Sequence, residues 1–448
     1  METFDVAERQ EIGHMSDLTT PPKLRKLQRT FYRKAKDEPQ FRFYALFDKV
    51  CREETLWHAW DVVRRNGGAP GVDGVTIEQI EERGEQEWIE ELRGKLVDKQ
   101  YQASPVRRVE IPKPGGGTRP LGIPTVEDRV VQMAVKLVIE PIFEADFEDE
   151  AYGYRPERSA KEAVQEVHEH LTEGRTDVVD ADLSSYFDTI PHDQLIESVR
   201  RRISDGTILK LIKMWLEAPV VDEDDDGTRR VEPSGQEGTP QGGIVSPLLA
   251  NIYMNRFLKF WSQQNLDEKL DARIVNYADD FVILTRGNAE EALHITRWFM
   301  EAVGLKLNEQ KTEIRDVADE DLEFLGYEFG WEHHRKDGHT YLAAQPAPSR
   351  RKRLKRKVRR WLKRNVSRPW EIVRKKLNDM LEGWANYFSY GTRTLAYREI
   401  DNYVYERVRA FLVDRHGLKG RGTDKWPDDT VFGELGVMRL RDAQYGRV

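Results

Sequence analysis

Two apolar runs, Arg273-Ile274-Val275-Asn276-Tyr277 and Phe281-Val282-Ile283-Leu284, are separated only by Ala278-Asp279-Asp280. Strands joined that tightly pair antiparallel, and the turn between them carries two carboxylates on a rigid base. Upstream, Val178-Val179 leads into Asp180-Ala181-Asp182, which reads as a third strand ending in acids. A hard divalent cation such as Mg²⁺ keeps several waters, so two or three convergent carboxylates suffice to hold it. Asp182, Asp279 and Asp280 supply that set if the third strand lies beside the hairpin. Taken alone, an Asp-Asp pair is more often an exposed β-turn, and the chain has 79 acidic residues from which to make one.

The surroundings of these strands narrow the fold. The first hundred residues show helical spacing at Leu24, Leu27 and Phe31 and again at Leu56, Trp60 and Val63. A dense turn signal from Asn66 to Gly74 interrupts them. Val106–Ile111 and Arg119–Ile123 flank Gly115-Gly116-Gly117, which predicts a β-hairpin with cations beside its tip. Val126–Phe147 and Ser159–Leu171 read as helices. Beyond Gln345–Ser349 the pattern is purely helical, with stripes at Leu354, Val358, Trp361, Leu362, at Ile372, Leu377, Met380, Leu381, Trp384, and at Ile400, Val404, Val408, Phe411. The expectation is an α+β body followed by a three-helix bundle.

Charge is unevenly placed. The net charge is −8, yet 11 of the 15 residues from Arg350 to Arg364 are Lys or Arg and none is acidic. Such a segment suits phosphates, although a solvated face is the usual role of a charge run. A single cysteine, Cys51, excludes an internal disulfide and fits a reducing cytoplasm. No apolar run approaches the roughly 20 residues of a membrane span, so no membrane partner is expected. The triple glycine lacks the Gly-Lys-Ser or Gly-Lys-Thr of a P-loop. Asp222–Gly227 nearly matches a calcium loop, but its closing glutamate position is Pro233. His333, His334 and His339 lack zinc-site spacing.

Taken together, the acidic blocks resemble those of reverse transcriptases, in the form common among proteins encoded by group II introns. Tyr277-Ala278-Asp279-Asp280 resembles the family's hallmark, and Asp180-Ala181-Asp182-Leu183-Ser184-Ser185-Tyr186-Phe187-Asp188 its first catalytic motif. Gly238-Thr239-Pro240-Gln241-Gly242-Gly243 through Asn251 is similar to the next block. Gly304–Asn308 with Lys311-Thr312, and Phe324-Leu325-Gly326-Tyr327, match later blocks in order; the resemblance runs from about Gly71 to at least Tyr390. It implies a right-hand polymerase, with an N-terminal extension and fingers over 1–175, a palm over 176–345 and a helical thumb or maturase domain with a short tail over 346–448. The implied activity is RNA-directed DNA synthesis by two-metal nucleotidyl transfer, with binding of the parent group II intron RNA to assist splicing and mobility. A splicing cofactor that only binds RNA is an alternative. Another is a domesticated enzyme of defence, CRISPR spacer acquisition or DNA repair. No paired-cysteine or His-Asn-His pattern appears, so the C-terminal endonuclease of many relatives is not expected.

Residue by residue, the resemblance makes Asp182, Asp279 and Asp280 the catalytic ligands of two Mg²⁺ ions, with Mn²⁺ as a substitute and the Leu183 carbonyl assisting. Phe187 is expected under the sugar of the incoming deoxynucleoside triphosphate, where it excludes a 2′-hydroxyl. Lys113 and Arg119 would meet the triphosphate, Gln241 would line the nucleotide pocket, and Lys311 would face phosphate. Tyr327 is expected at the primer end or, equally, as a buried aromatic of a β-strand, and Lys352, Lys355 and Arg359 on template or intron RNA. Asp180 and Asp188 are read as structural. Nothing in the sequence sets an oligomeric state.

Overall fold

The structure, a computed structural model, describes residues 20–112, 117–223, 229–240, 242–334 and 338–442. An N-terminal helical layer contains α1 (Pro22–Asp37) and α2 (Glu53–Asn66), followed by the hairpin β1 (Val106–Pro112) and β2 (Thr118–Ile123) and then α3 (Val126–Glu144). Helix α3 buries residues around most of its circumference, from Val130 and Val131 to Ile142 and Phe143. A helix that apolar has to lie inside, and α1 and α2 pack against it. Helix α4 (Ala160–Thr172) opens on a capping box made by Ser159 and Glu162.

The strands that follow are β3 (Asp177–Asp182), β4 (Val220–Glu223), β5 (Arg229–Glu232), β6 (Arg273–Tyr277), β7 (Asp280–Thr285), β8 (Glu313–Asp316), β9 (Leu322–Phe324), β10 (Tyr327–His333) and β11 (Thr340–Pro346). Three sheets result, in the orders β2-β1-β4-β5, β6-β7-β3-β8 and β11-β10-β9. Phe281 to Leu284 on β7 are all fully buried, because both faces of this sheet are covered. One face meets α4 and the third sheet. The other meets α6 (Ser246–Gln263) and α7 (Ala289–Ala302), which follow α5 (Gly206–Leu216) in the chain.

A single buried carboxylate ties the N-terminal layer to this body. Asp205, 7% exposed, caps α5 by accepting the Thr207 and Ile208 amides at 3.0 and 3.2 Å. Its second oxygen accepts the Leu46 and Phe47 amides at 2.8 and 2.9 Å. Beside it, Arg202 donates to the carbonyls of Ala35 in the last turn of α1 and of Glu38 and Pro39 just beyond it.

The C-terminal helices α8 (Pro348–Arg364), α9 (Trp370–Tyr387) and α10 (Thr394–Arg415) pack around their own core. The stripe of α9 differs from expectation. It runs Val373, Leu377, Leu381, Ala385, all fully buried, whereas Ile372 is 51% exposed. Four-residue spacing from Leu377 selects Val373, and its neighbour must face away. Cys51 is buried, and burial pushes its thiol up to about 11, as expected of a structural cysteine. No helix among the described residues is long and apolar enough to cross a membrane.

Replacing Asp205 with Ala removes a helix cap and leaves four amides short of an acceptor. The expected loss is about 3 kcal/mol in urea unfolding; a loss of less than about 1 kcal/mol would mean that water replaces the carboxylate.

Candidate active site

The antiparallel register of β3 and β7 sets Asp182 directly opposite Asp280. Opposed residues project from the same side of a sheet, as do residues two apart on one strand, so Asp180 shares that side. Asp279 precedes Asp280 in the turn. Burial, then the negative neighbours Asp180, Asp279 and Asp182, push the Asp280 carboxyl up to about 7. Asp279 is raised by burial and by Asp182, against the pull of Arg119 and Lys311. Burial also lifts Asp180 to about 6, with Arg315 opposing and Glu313 and Asp182 adding to the rise. Like charges crowded this way resist ionising together, and a bound cation reverses that.

Two groups already engage Asp182. Lys311 Nζ lies 3.0 Å from each carboxylate oxygen, and Asn308 Nδ2 donates to one of them at 3.1 Å. As these side chains stand, no three acidic, His or Cys groups among the described residues are gathered tightly enough to hold a metal ion. The donor chemistry nevertheless fits: the ligands would be carboxylate oxygens, mutually repelling and partly desolvated, which suits a hard divalent cation. Asn308 closes the Gly304–Asn308 block, but its tie to Asp182 is a tertiary contact across 126 residues. The Leu183 backbone is bridged to Leu307, with the Ser184 and Asn308 amides donating to the Lys306 and Asp182 carbonyls at 2.9 and 2.8 Å on either side.

The nucleotide-side residues are only partly covered by the described structure. Lys113 and Gln241 lie outside the described residues. Arg119 is exposed on β2 opposite Ile111, near enough for its charge to act on Asp279. Phe187 is 6% exposed, edge-on to Tyr154 at 6.1 Å. Its carbonyl accepts the Thr239 amide at 2.6 Å, so the Phe187 turn and the Thr239-Pro240 loop are held as one unit. Gly242, with φ of +115°, packs against the Gly122 carbonyl so closely that a Cβ would sit 2.3 Å from it.

Two of the residues expected at primer and RNA are engaged within the protein. Tyr327 is 1% exposed, its hydroxyl donates to the Tyr387 carbonyl at 2.8 Å, and its ring lies 5.1 Å from Phe388. It is a joint between β10 and α9, matching the reading of a buried strand aromatic. Lys355 turns inward, pairing with Glu399 at 2.5 Å alongside Arg351; although burial opposes it, these two cations hold Glu399 below the ordinary carboxylate range. Lys352 and Arg359 stand on the exposed face of α8 with Arg356, Arg360 and Lys363. A second cationic face was missed. Helix α1 exposes Lys23, Arg25, Lys26, Arg29, Arg33 and Lys36, a charge run visible in the sequence once the helix is bounded.

A family model described as reverse transcriptase (RNA-dependent DNA polymerase) matches residues 111–329, and one for the group II intron maturase-specific domain matches residues 351–427. Protein YkfC of Escherichia coli (strain K12) is 36% identical over 338 residues, covering 67% of this chain and 87% of that protein. The group II intron-encoded protein LtrA of Lactococcus lactis subsp. cremoris is 28% identical over 352 residues, covering 64% of this chain and 56% of LtrA. A telomerase from Candida albicans, solved with a fragment of telomeric RNA, superposes with a TM-score of 0.44 at 12% identity, over 81% of this chain and 68% of that one. The chain belongs to the reverse transcriptases, the RNA-directed DNA polymerases, and carries a group II intron maturase-specific domain behind its polymerase core.

Proposed function

We propose that this reverse transcriptase extends a DNA primer on an RNA template by two-metal nucleotidyl transfer, with Asp182, Asp279 and Asp280 as the metal ligands. The observation that carries the reading is the opposition of Asp182 and Asp280 across β3 and β7, with Asp279 in the adjoining turn. With two Mg²⁺ ions bound, the primer 3′-hydroxyl would be made nucleophilic and the leaving pyrophosphate neutralised. Asn308 keeps the Asp182 carboxylate oriented, and Lys311 holds its charge until it is needed elsewhere. Arg119, on the strand behind the fingertip, offers a cation to the incoming triphosphate. Phe187, wedged against Tyr154, forms a wall under the sugar. In this reading residues 1–175 are an N-terminal extension with fingers, 176–345 the palm and 346–448 the thumb or maturase domain with a short tail.

Intron RNA is the further partner we propose. The exposed face of α8, carrying Lys352, Arg356, Arg359, Arg360 and Lys363, lies on the segment matched by the maturase-specific family. Its cations would neutralise phosphates and aid splicing by holding the folded RNA. Lys355 is left out of this footprint because it is spent on Glu399.

Three outcomes test the reading. Asn at position 182 or 279 should lower primer extension by orders of magnitude with RNA affinity unchanged; near-normal extension by a folded Asp279→Asn protein would refute the metal assignment. Phe187→Ala should raise ribonucleotide over deoxyribonucleotide incorporation, and unchanged discrimination in an active variant would count against the sugar wall. Replacing Lys352, Arg356 and Arg359 with Gln should flatten the salt dependence of RNA binding by roughly one unit of slope per lost phosphate contact. Splicing should suffer more than extension of a short primer–template. Lys355→Gln should instead lower stability, and a salt slope flattened as much by Lys355→Gln would overturn the division of the helix.

A further inference from the structure

The acidic turn between β6 and β7 is not a relaxed one. Ala278 sits at φ +62°, a region that an L-residue with a Cβ seldom adopts and keeps only where its surroundings impose it. The surroundings are specific. On one side the Asn276 side chain, 2% exposed, donates to the Ala278 carbonyl at 2.9 Å. On the other, the segment before α4 runs alongside β6. The Asn276 amide donates to Glu150 O and the Tyr152 amide to Asn276 O, each at 2.8 Å.

That segment ends on Gly153, whose position against the turn is tight. A Cβ at residue 153 would lie 2.6 Å from the Ala278 nitrogen and 3.0 Å from the Tyr277 carbonyl carbon. Gly153 is not among the glycines with left-handed φ, so backbone freedom does not explain a glycine here; contact with the turn does. Gly153 is itself anchored. Asn251, 6% exposed on α6, donates from Nδ2 to the Gly153 carbonyl at 2.7 Å.

We propose that Gly153, Asn251 and Asn276 are positioning residues that set the Asp279–Asp280 turn against Asp182. The proposal rests on the reading of those aspartates as metal ligands. Asp182 sits on a different strand from the turn, so the shift that relieves a 2.6 Å contact to the 3.4 Å of ordinary van der Waals packing changes the spacing between ligands directly. Functional groups of this kind tolerate only about 0.5 Å of misplacement. Amides are suited to the task beside an acidic site, because they fix geometry through hydrogen bonds without neutralising the charge that draws the cation.

The test uses the full chain carrying Gly153→Ala, Asn251→Ser or Asp279→Asn, with Gly94→Ala, where a Cβ meets nothing within 4 Å, as the control. Measured are kcat and dNTP KM for a short RNA template with DNA primer, thermal midpoint, and binding of Mn²⁺ alone by electron paramagnetic resonance. Gly153→Ala should lower kcat on the order of tenfold to a hundredfold and weaken Mn²⁺ binding at temperatures where the variant is fully folded, with dNTP KM close to wild type. Asn251→Ser should move kcat and Mn²⁺ affinity in the same direction, and it decides the matter alone if Gly153→Ala fails to fold. Wild-type kcat and Mn²⁺ affinity in the folded variants, or losses that vanish on cooling below the midpoint, would overturn the proposal while Asp279→Asn remains inactive. An active Asp279→Asn would instead remove the metal reading beneath it.

Discussion

Crowding of like charge at the paired ends of β3 and β7 is the constraint around which the rest of the molecule is arranged. Burial and the negative charge of their neighbours, Asp182 among them, raise the carboxyls of Asp180, Asp279 and Asp280. Such a group is stable only with opposite charge or hydrogen-bond donors at hand. The fold recruits these from distant parts of the chain: Lys311 and Asn308 from the segment before β8, Arg119 from the fingertip hairpin, Arg315 from β8 beside Asp180. Each reaches the site because the sheet is covered on both faces, which makes its strand ends the places where polar groups can gather.

The adjoining sheet, β11-β10-β9, mounts the C-terminal helices. Tyr327 and Tyr387 exchange hydrogen bonds across the joint, each hydroxyl donating to a backbone carbonyl on the other side. His168 on α4 bridges the Tyr390 hydroxyl and the Leu342 carbonyl. A joint built from buried aromatics with satisfied polar tips is stiff, so the basic helix α8 leaves it in a defined direction. That helix is then divided between Leu354, Val358 and Leu362 facing the bundle, Arg351 and Lys355 on Glu399 at the flank, and Lys352, Arg356, Arg359, Arg360, Lys363 and Arg364 on the exposed face.

Much of this was legible in the residue order. The acidic hairpin, the strand ending at Asp182, the fingertip strands and the three C-terminal helices all follow from local periodicity and turn chemistry. What the residue order left open was the use of particular side chains. Tyr327, placed near a primer by the resemblance of its block, and Lys355, placed on RNA by its charge run, are each engaged inside the protein by partners 60 and 44 residues away. Ile372 and Val373 are both apolar, and only the packing of α9 on its neighbours decides which is buried. The cations of α1 were overlooked because an acidic N-terminal stretch and a net charge of −8 masked a local excess.

The sequence by itself determined which side chains are available and which element each stands on, because strand alternation, helical spacing and turn preference are properties of neighbouring residues. It determined the family for the same reason, since the motifs are contiguous. Only the tertiary structure decided how those elements meet: the register that opposes Asp182 to Asp280, the hydrogen bond from Asn308, and the absence of room for a Cβ at Gly153. Contacts between segments about a hundred residues apart or more depend on how whole sheets and helices pack, and no local pattern encodes a distance of a few tenths of an ångström between them.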